Sequence, residues 1–158
     1  MRFEQAKALL AAFERERVRY VLIGSMAMAA HGFVRATRDI DFFVATDVDN
    51  VERLKRALRS VFDDASIDEI SSDDLAGAYP VIQYGPPEGD FVIDLVARLG
   101  DAYEYDDIRA QEIVVDEIVV RVATPRMLYD MKKDTMRPQD RLDAATLRER
   151  FGLTDEEP

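Results

Sequence analysis

A single α/β domain built on a mixed sheet is what this sequence predicts, and three observations predict it. Short apolar runs of strand length alternate with stretches whose apolar residues recur at helical spacing. Two pairs of those runs are separated by turn residues alone, Gly85-Pro86-Pro87-Glu88-Gly89 and Asp116-Glu117, so hairpins stand among the helices and the sheet is not purely parallel. The 158 residues, 47% of them hydrophobic, suffice for one core and contain no long repeat, low-complexity tract or Pro-rich linker.

The elements follow in order. Residues 2–16 place Phe3, Ala6, Leu9, Leu10 and Phe13 on one helical face. Tyr20 to Ile23 is a short strand ended by Gly24-Ser25. Ser25 then caps a brief helix to His31, stopped by Gly32. Ile40 to Val44 resumes as strand. Asp47 or Asp49 caps a helix that turns Val48, Val51, Leu54, Leu58 and Val61 inward. The acidic stretch 63–77 reads as an exposed loop with a turn of helix. Tyr79 to Tyr84 and Phe91 to Val96 form one hairpin, and residues 112–122 another around Asp116-Glu117. Thr124-Pro125 opens a helix over 126–136, with proline at its first position, and Pro138 to Phe151 makes the last. The domain is therefore expected over 1–151, with a frayed tail at 152–158.

Composition narrows the function. The net charge of −11 repels nucleic acid at long range, so non-specific DNA binding is not expected, although a local basic patch or a basic partner protein remains compatible. There is no cysteine, which removes disulfides and thiolate metal ligands. No apolar run approaches the roughly 18 residues of a membrane span, and the N-terminal stretch is amphipathic and acidic rather than a secretory signal. A cytoplasmic protein is the expectation.

The informative residues are Asp39 and Asp41. Two apart in a strand, they leave the same face, while Ile40 and Phe42 enter the core. Two neighbouring carboxylates at a buried surface repel one another unless a cation neutralises them. Oxygen-only ligation favours Mg²⁺ or Mn²⁺, held by one or two carboxylates plus substrate phosphates. Asp94, in "DFVIDLV", is a further lone charge in an apolar strand, and Asp90 in the preceding turn is a weaker candidate. Twenty aspartates produce such spacings by chance, and Asp47/Asp49 supply the control: the same spacing, but at a helix start where aspartates serve as caps.

These residues carry a resemblance. Gly24-Ser25 after an apolar strand, thirteen intervening residues, Asp39-Ile40-Asp41, and Asp94 on a later strand resemble the signature of the nucleotidyltransferase superfamily typified by DNA polymerase beta. "RATRDID", with Arg35 and Thr37, is similar to the bacterial subgroup that includes AbiEii-type toxins. So is residues 124–147, with Lys132 on a helix, then Arg137-x-x-Asp140 and Asp143-x-x-x-Leu147. The resemblance implies transfer of a nucleoside monophosphate from an NTP to an acceptor hydroxyl, with pyrophosphate released. Asp39, Asp41 and Asp94 would hold Mg²⁺ or Mn²⁺, and Asp94 would help deprotonate the acceptor. Gly24 would let the backbone approach the phosphates, Ser25 would offer donors, and Arg38 or Lys132 would neutralise triphosphate oxygens. Acceptors compatible with the resemblance are a tRNA end, a protein side chain or a small molecule, and an antitoxin protein is the implied partner.

Each assignment has a structural counterpart. Gly24-Ser25 serves equally as a turn and cap, Arg35 and Arg38 as surface ion-pair partners, and Lys132 as a solvated helix residue. His31 reads as a helix-end residue, and Tyr103 and Tyr105 as packing. If Asp94 is not the third carboxylate, Glu112 and Asp140 are next. A nucleotide- or partner-binding module without turnover is the rival reading.

Overall fold

The computed structural model describes residues 3–34, 36–78, 81–87 and 91–155. Arg35 and Asp90 lie outside the described residues, as do Tyr79, Pro80, Glu88 and Gly89 of the expected strand and turn.

Among the described residues, five α-helices and a six-stranded sheet form the frame. In chain order these are α1 (Phe3–Arg15), β1 (Tyr20–Ile23), α2 (Gly24–Ala30), β2 (Asp39–Val44), α3 (Val48–Val61), β3 (Val81–Tyr84) and β4 (Val92–Val96). A two-stranded ribbon, β5 (Arg98–Leu99) and β6 (Tyr103–Glu104), follows, then β7 (Ala110–Val115), β8 (Ile118–Ala123), α4 (Pro125–Lys132) and α5 (Pro138–Phe151). The main sheet runs β3-β4-β2-β1-β8-β7. β1 is antiparallel to β2 and parallel to β8, β2 is parallel to β4, and β3–β4 and β7–β8 are the two expected hairpins. The sheet is mixed because both hairpins add antiparallel edges to strands joined through helices.

The core lies where period-2 and period-3.6 patterns meet. Ala6, Leu9, Leu10, Ala12 and Phe13 of α1 are buried. Phe13 packs at 4.7 Å from Phe42 and 5.1 Å from Tyr20, ring centre to ring centre. This contact fixes the faces of the sheet: Tyr20, Ile40 and Phe42 look toward α1, and Asp39 and Asp41 look away. α1 stops with Arg17 in the left-handed region (φ 57°), where the Val18 amide reaches back to the Phe13 carbonyl. Asn50, almost fully buried, ties the ends of β1 and β2 together. It donates to the Arg19 and Ala45 carbonyls and accepts from the Arg19 amide. Asp116 and Glu117 both take positive φ (47° and 69°), the primed turn that matches strand twist in a two-residue hairpin.

Several expectations are corrected. Ser25 does not cap α2: the helix begins at Gly24 after Ile23, with no side-chain cap, and Ser25 lies in its first turn. Val48 is 67% exposed, because it is the first residue of α3 and precedes the turn that reaches the core. Residues 63–77 are not simply exposed. A 3-10 turn over Ala65–Glu69, capped by Asp64, and a further helical turn at Asp74–Ala78 bury Ile67, Ile70 and Leu75. The helix expected over 126–136 ends at Lys132. Its start holds: the Thr124 hydroxyl accepts from the Met127 amide (3.1 Å) ahead of Pro125. Of the tail, the Thr154 carbonyl receives Arg126 and the Asp155 carboxylate accepts from the Tyr129 hydroxyl at 2.5 Å, and residues 156–158 lie outside the described residues.

Candidate active site

Asp41 is the centre of the site. It pairs in register with Ile23 on one side and with Asp94 on the other. In a parallel pair, registered residues share a face, so Asp41 and Asp94 emerge side by side, with Asp39 two residues before Asp41 and Val92 beside it. Ile93 and Leu95 turn into the core opposite Ile40 and Phe42, as the alternation in "DFVIDLV" requires.

Gly24 completes the floor. It holds φ +70°, and a β-carbon built there would stand 2.1 Å from Asp41 Oδ2. Any other residue would strain the backbone and drive the carboxylate away, so the glycine follows from the close approach of β2 to the β1–α2 turn. Ser25, half-buried, follows it.

The electrostatics of the pair are unfavourable as they stand. Burial pushes the Asp41 carboxyl up to about 8, with a hydrogen bond to Asp94 and the charges of Asp94 and Asp39 acting the same way and Lys132 opposing them. The Oδ1 atom of Asp94 is buried without a hydrogen-bond partner. An orphaned buried oxygen beside a carboxyl that retains its proton is a site shaped for a cation. Among the described residues, no group of three His, Cys, Asp or Glu side chains is gathered closely enough to hold a metal ion alone. Asp39, at the exposed start of β2, shares the face of the pair, and its charge acts on Asp41. The donor set therefore fits an ion held by carboxylates whose remaining ligands come from a substrate, the arrangement Mg²⁺ commonly adopts.

The cations occupy different positions. The Arg38 side chain is exposed next to Asp39, and its carbonyl accepts from the Val92 amide at 2.8 Å, stitching β2 to β4. Lys132, only 9% exposed, is not a solvated helix residue. Its ammonium donates to Asp143 Oδ2 (3.0 Å) and Asp140 Oδ1 (3.3 Å) while also acting on Asp41. The sequence placed Asp140 and Asp143 in a motif and made Asp140 a fallback third carboxylate, but paired neither with Lys132, which both accept from here. The pairing joins residues eight and eleven positions apart across the α4–α5 junction, a separation no single helical period reveals.

The remaining candidates fall outside the site. Glu112 is exposed on the edge strand β7, three places from β2 in the sheet. Asp47 caps α3, accepting from the Asn50 amide at 3.1 Å, and Asp49 lies in the first turn. His31 ends α2 and donates from Nε2 to the Ala123 carbonyl at 2.8 Å. Tyr103 and Tyr105 pack against the core. A cavity lined by Arg19, Thr46, Arg98 and Tyr105 lies at the far end of β2 and contains none of the three aspartates.

This arrangement of sheet, turn and aspartates is the nucleotidyltransferase fold. The structure is similar to the lincomycin-bound lincosamide antibiotic adenylyltransferase LnuA, with a TM-score of 0.59, 15% identity and coverage of 94% of this chain and 97% of that one. It is also similar to ANT(2")-Ia in complex with adenylyl-2"-tobramycin (TM-score 0.50, 16% identity, 94% and 97% covered). A Thermotoga maritima protein assigned as a nucleotidyltransferase gives a TM-score of 0.53 at 14% identity, with 94% and 91% covered. No curated protein sequence matches. Residues 7–150 match the family described as "Nucleotidyl transferase AbiEii toxin, Type IV TA system", and the chain belongs to that family. Among the described residues no helix is long and apolar enough to cross a membrane.

Proposed function

We propose that the protein is a divalent-metal-dependent nucleotidyltransferase that moves a nucleoside monophosphate from an NTP to an acceptor hydroxyl. The observation that carries the reading is the Asp41–Asp94 pair, registered on adjacent strands against Gly24 with one buried oxygen left without a partner. Asp39, Asp41 and Asp94 would hold Mg²⁺ or Mn²⁺. When bound, the ion neutralises phosphate charge and polarises the attacking and leaving oxygens. The acceptor oxygen attacks the α-phosphorus and forms the new P–O bond. The bond from that phosphorus to the bridging oxygen breaks, and pyrophosphate departs. The hydroxyl proton passes to a carboxylate, a role this reading gives to Asp94. Gly24 leaves room for the phosphates beside Asp41, and Ser25 offers donors from the first turn of α2. Lys132 from within and Arg38 from the rim would neutralise the triphosphate.

The family description supports a toxin with an antitoxin partner, and the reading places its action in the cytoplasm. The charge of −11 favours a small-molecule or protein acceptor over a tRNA end. A binding module without turnover would gain stability by discarding the aspartates, and their retention argues against that rival.

The test supplies each α-labelled NTP with Mg²⁺ or Mn²⁺ and total cell extract, then separates RNA, protein and small molecules. Label is expected in one fraction, with release of pyrophosphate, and not with Asp39→Asn/Asp41→Asn. No metal-dependent incorporation from any NTP into any fraction would overturn the reading.

A further inference from the structure

The row of residues through Asp41 does not stop at Asp94. Register carries it one strand further: Ile23 lies opposite Asp41, Asp41 beside Asp94, and Asp94 opposite Gln83 of the edge strand β3. Residues directly opposed in an antiparallel pair share a face, with β-carbons about 5 Å apart. The alternation of β3 agrees. Tyr84, opposite Ile93, is buried on the core face, and its hydroxyl donates to Asp64 at 2.8 Å. Gln83 is exposed on the face that carries the aspartates, with Val81, 41% exposed, two residues before it.

The order of this row has a chemical direction. Nucleotidyl transfer sets the attacking and leaving oxygens roughly in line, on opposite sides of the α-phosphorus. Gly24, which presses on Asp41, and the first turn of α2 mark one end of the row, the end that the transfer reading gives to the phosphates and the departing pyrophosphate. The acceptor hydroxyl then approaches from the other end, over Asp94, and the next side chain outward is Gln83. Among the described residues β3 is the last strand on that side, so the sheet itself does not bar a bulky acceptor. A carboxamide offers two donors and an acceptor and carries no charge. It suits a neutral group beside the reacting hydroxyl, whereas Val81–Tyr84 contains no basic residue to hold a phosphate.

We propose that Gln83 is an acceptor-specificity residue, whose carboxamide binds a neutral hydroxyl or amide adjacent to the acceptor hydroxyl that attacks. The inference rests on the nucleotidyl-transfer reading, because that reading supplies the acceptor. It goes further in placing the acceptor over β4 and β3, at the opposite end of the row from Gly24.

The test titrates the acceptor as it occurs in the cell. Initial rates of transfer from saturating α-labelled NTP with Mg²⁺ are measured over a dilution series of total cell extract, for the unaltered protein, Gln83→Ala and Gln111→Ala. Gln111, exposed on the opposite edge strand β7, is the matched control. Gln83→Ala is expected to raise the extract concentration that gives half the maximal rate by roughly 3- to 10-fold, the effect of losing one neutral hydrogen bond. The dissociation constants of ATP, GTP, CTP and UTP with Mg²⁺, measured by calorimetry, and the metal-free Tm are expected to stay unchanged. Gln111→Ala is expected to alter none of these. A residue that merely supported Asp94 would lower the maximal rate and leave the half-saturating concentration where it was. An unchanged half-saturating concentration in Gln83→Ala, an equal loss of nucleotide affinity, or the same shift in Gln111→Ala would overturn the assignment while leaving the transferase reading intact. If the unaltered protein transferred label from no NTP to any fraction, that reading would fall and this inference with it.

Discussion

Replacing Asp41 by asparagine should stabilise the metal-free protein, against the usual rule that changing a buried residue costs stability. The reason is proton linkage. In the folded chain the carboxyl is pushed up to about 8, whereas its ordinary value is 3.8. Between those values the folded state keeps a proton that the unfolded state has released, so stability falls as pH rises through that window. From its lower edge to pH 7 is roughly three units at about 1.4 kcal/mol each, so this group lowers stability at pH 7 by about 4 kcal/mol relative to acid. Asparagine fills the same space beside Gly24 and Asp94 without having to retain a proton. The substitution should therefore recover about 2–4 kcal/mol, the lower figure allowing for an imperfectly paired amide. For a domain of this size that corresponds to a rise in Tm of roughly 5–15 °C.

The assay is thermal melting of both proteins in EDTA at pH 4.5, 6 and 7.5. Comparing the two at each pH cancels the titration of carboxylates remote from Asp41. The stabilisation should shrink to about 1 kcal/mol at pH 4.5, where little of the window has been crossed. Mg²⁺ with the NTP that binds should then raise the Tm of the unaltered protein and not that of Asp41→Asn, since a ligand stabilises only the state that binds it. A variant that melts at or below the unaltered protein at pH 7.5, or a gain independent of pH, would show that the Asp41 carboxylate is a structural contact.

Three further outcomes are expected. Gly24→Ala should lower stability by about 1–3 kcal/mol through strain at φ +70° and also abolish metal-dependent nucleotide binding, because its β-carbon displaces Asp41 Oδ2; calorimetry and melting on one sample check both. Asp94→Asn should weaken Mg²⁺-NTP binding, since it removes a carboxylate assigned to the ion, and should slow transfer by a larger factor, at least about a hundredfold in single-turnover labelling at saturating Mg²⁺-NTP, since proton removal acts only in the transition state. Asp47→Ala should cost about 0.5–2 kcal/mol by denaturant titration while nucleotide affinity stays unchanged, and a loss of affinity at unchanged stability would move the site to the second aspartate pair.

The parts of the fold visible in the sequence were those governed by local periodicity. β1 and the hairpins announced themselves by short apolar runs and turn residues, and the face shared by Asp39 and Asp41 followed from the period of two. The same alternation put Asp94 outward and Leu95 inward, as the register of β2 and β4 bears out. What stayed hidden depended on contacts distant in sequence. Residues 63–77 looked polar because Ile67, Ile70 and Leu75 are too sparse to set a period, and only their burial makes them core. The two-residue strands β5 and β6 are shorter than any pattern can mark. Ser25 failed as a cap because Gly24, free to take positive φ, let the helix begin one residue early. Lys132 was found through resemblance, but its partners required the crossing of α4 and α5.

The two ends of β2 show why the aspartates rather than the far cavity mark the functional end. At the far end both arginines have partners. Arg19 pairs with Asp47 and lies over the Tyr105 ring, and Arg98 donates to the Gly77 carbonyl at 2.9 Å and to that of Ala76. Among the described residues there, no buried side-chain nitrogen or oxygen lacks a partner. At the near end the compensation is missing: a left-handed glycine presses on one carboxyl, that carboxyl keeps a proton, and its neighbour has an oxygen with no partner. Folded proteins retain such groups where the surrounding core over-determines them, and here Ile40, Phe42, Ile93 and Leu95 hold both strands fully buried on the opposite face. A cation arriving with phosphates would displace the proton, occupy the orphaned oxygen and relieve the repulsion in one event. Binding affinity should accordingly rise with pH toward about 8, as the proton that competes for Asp41 is given up.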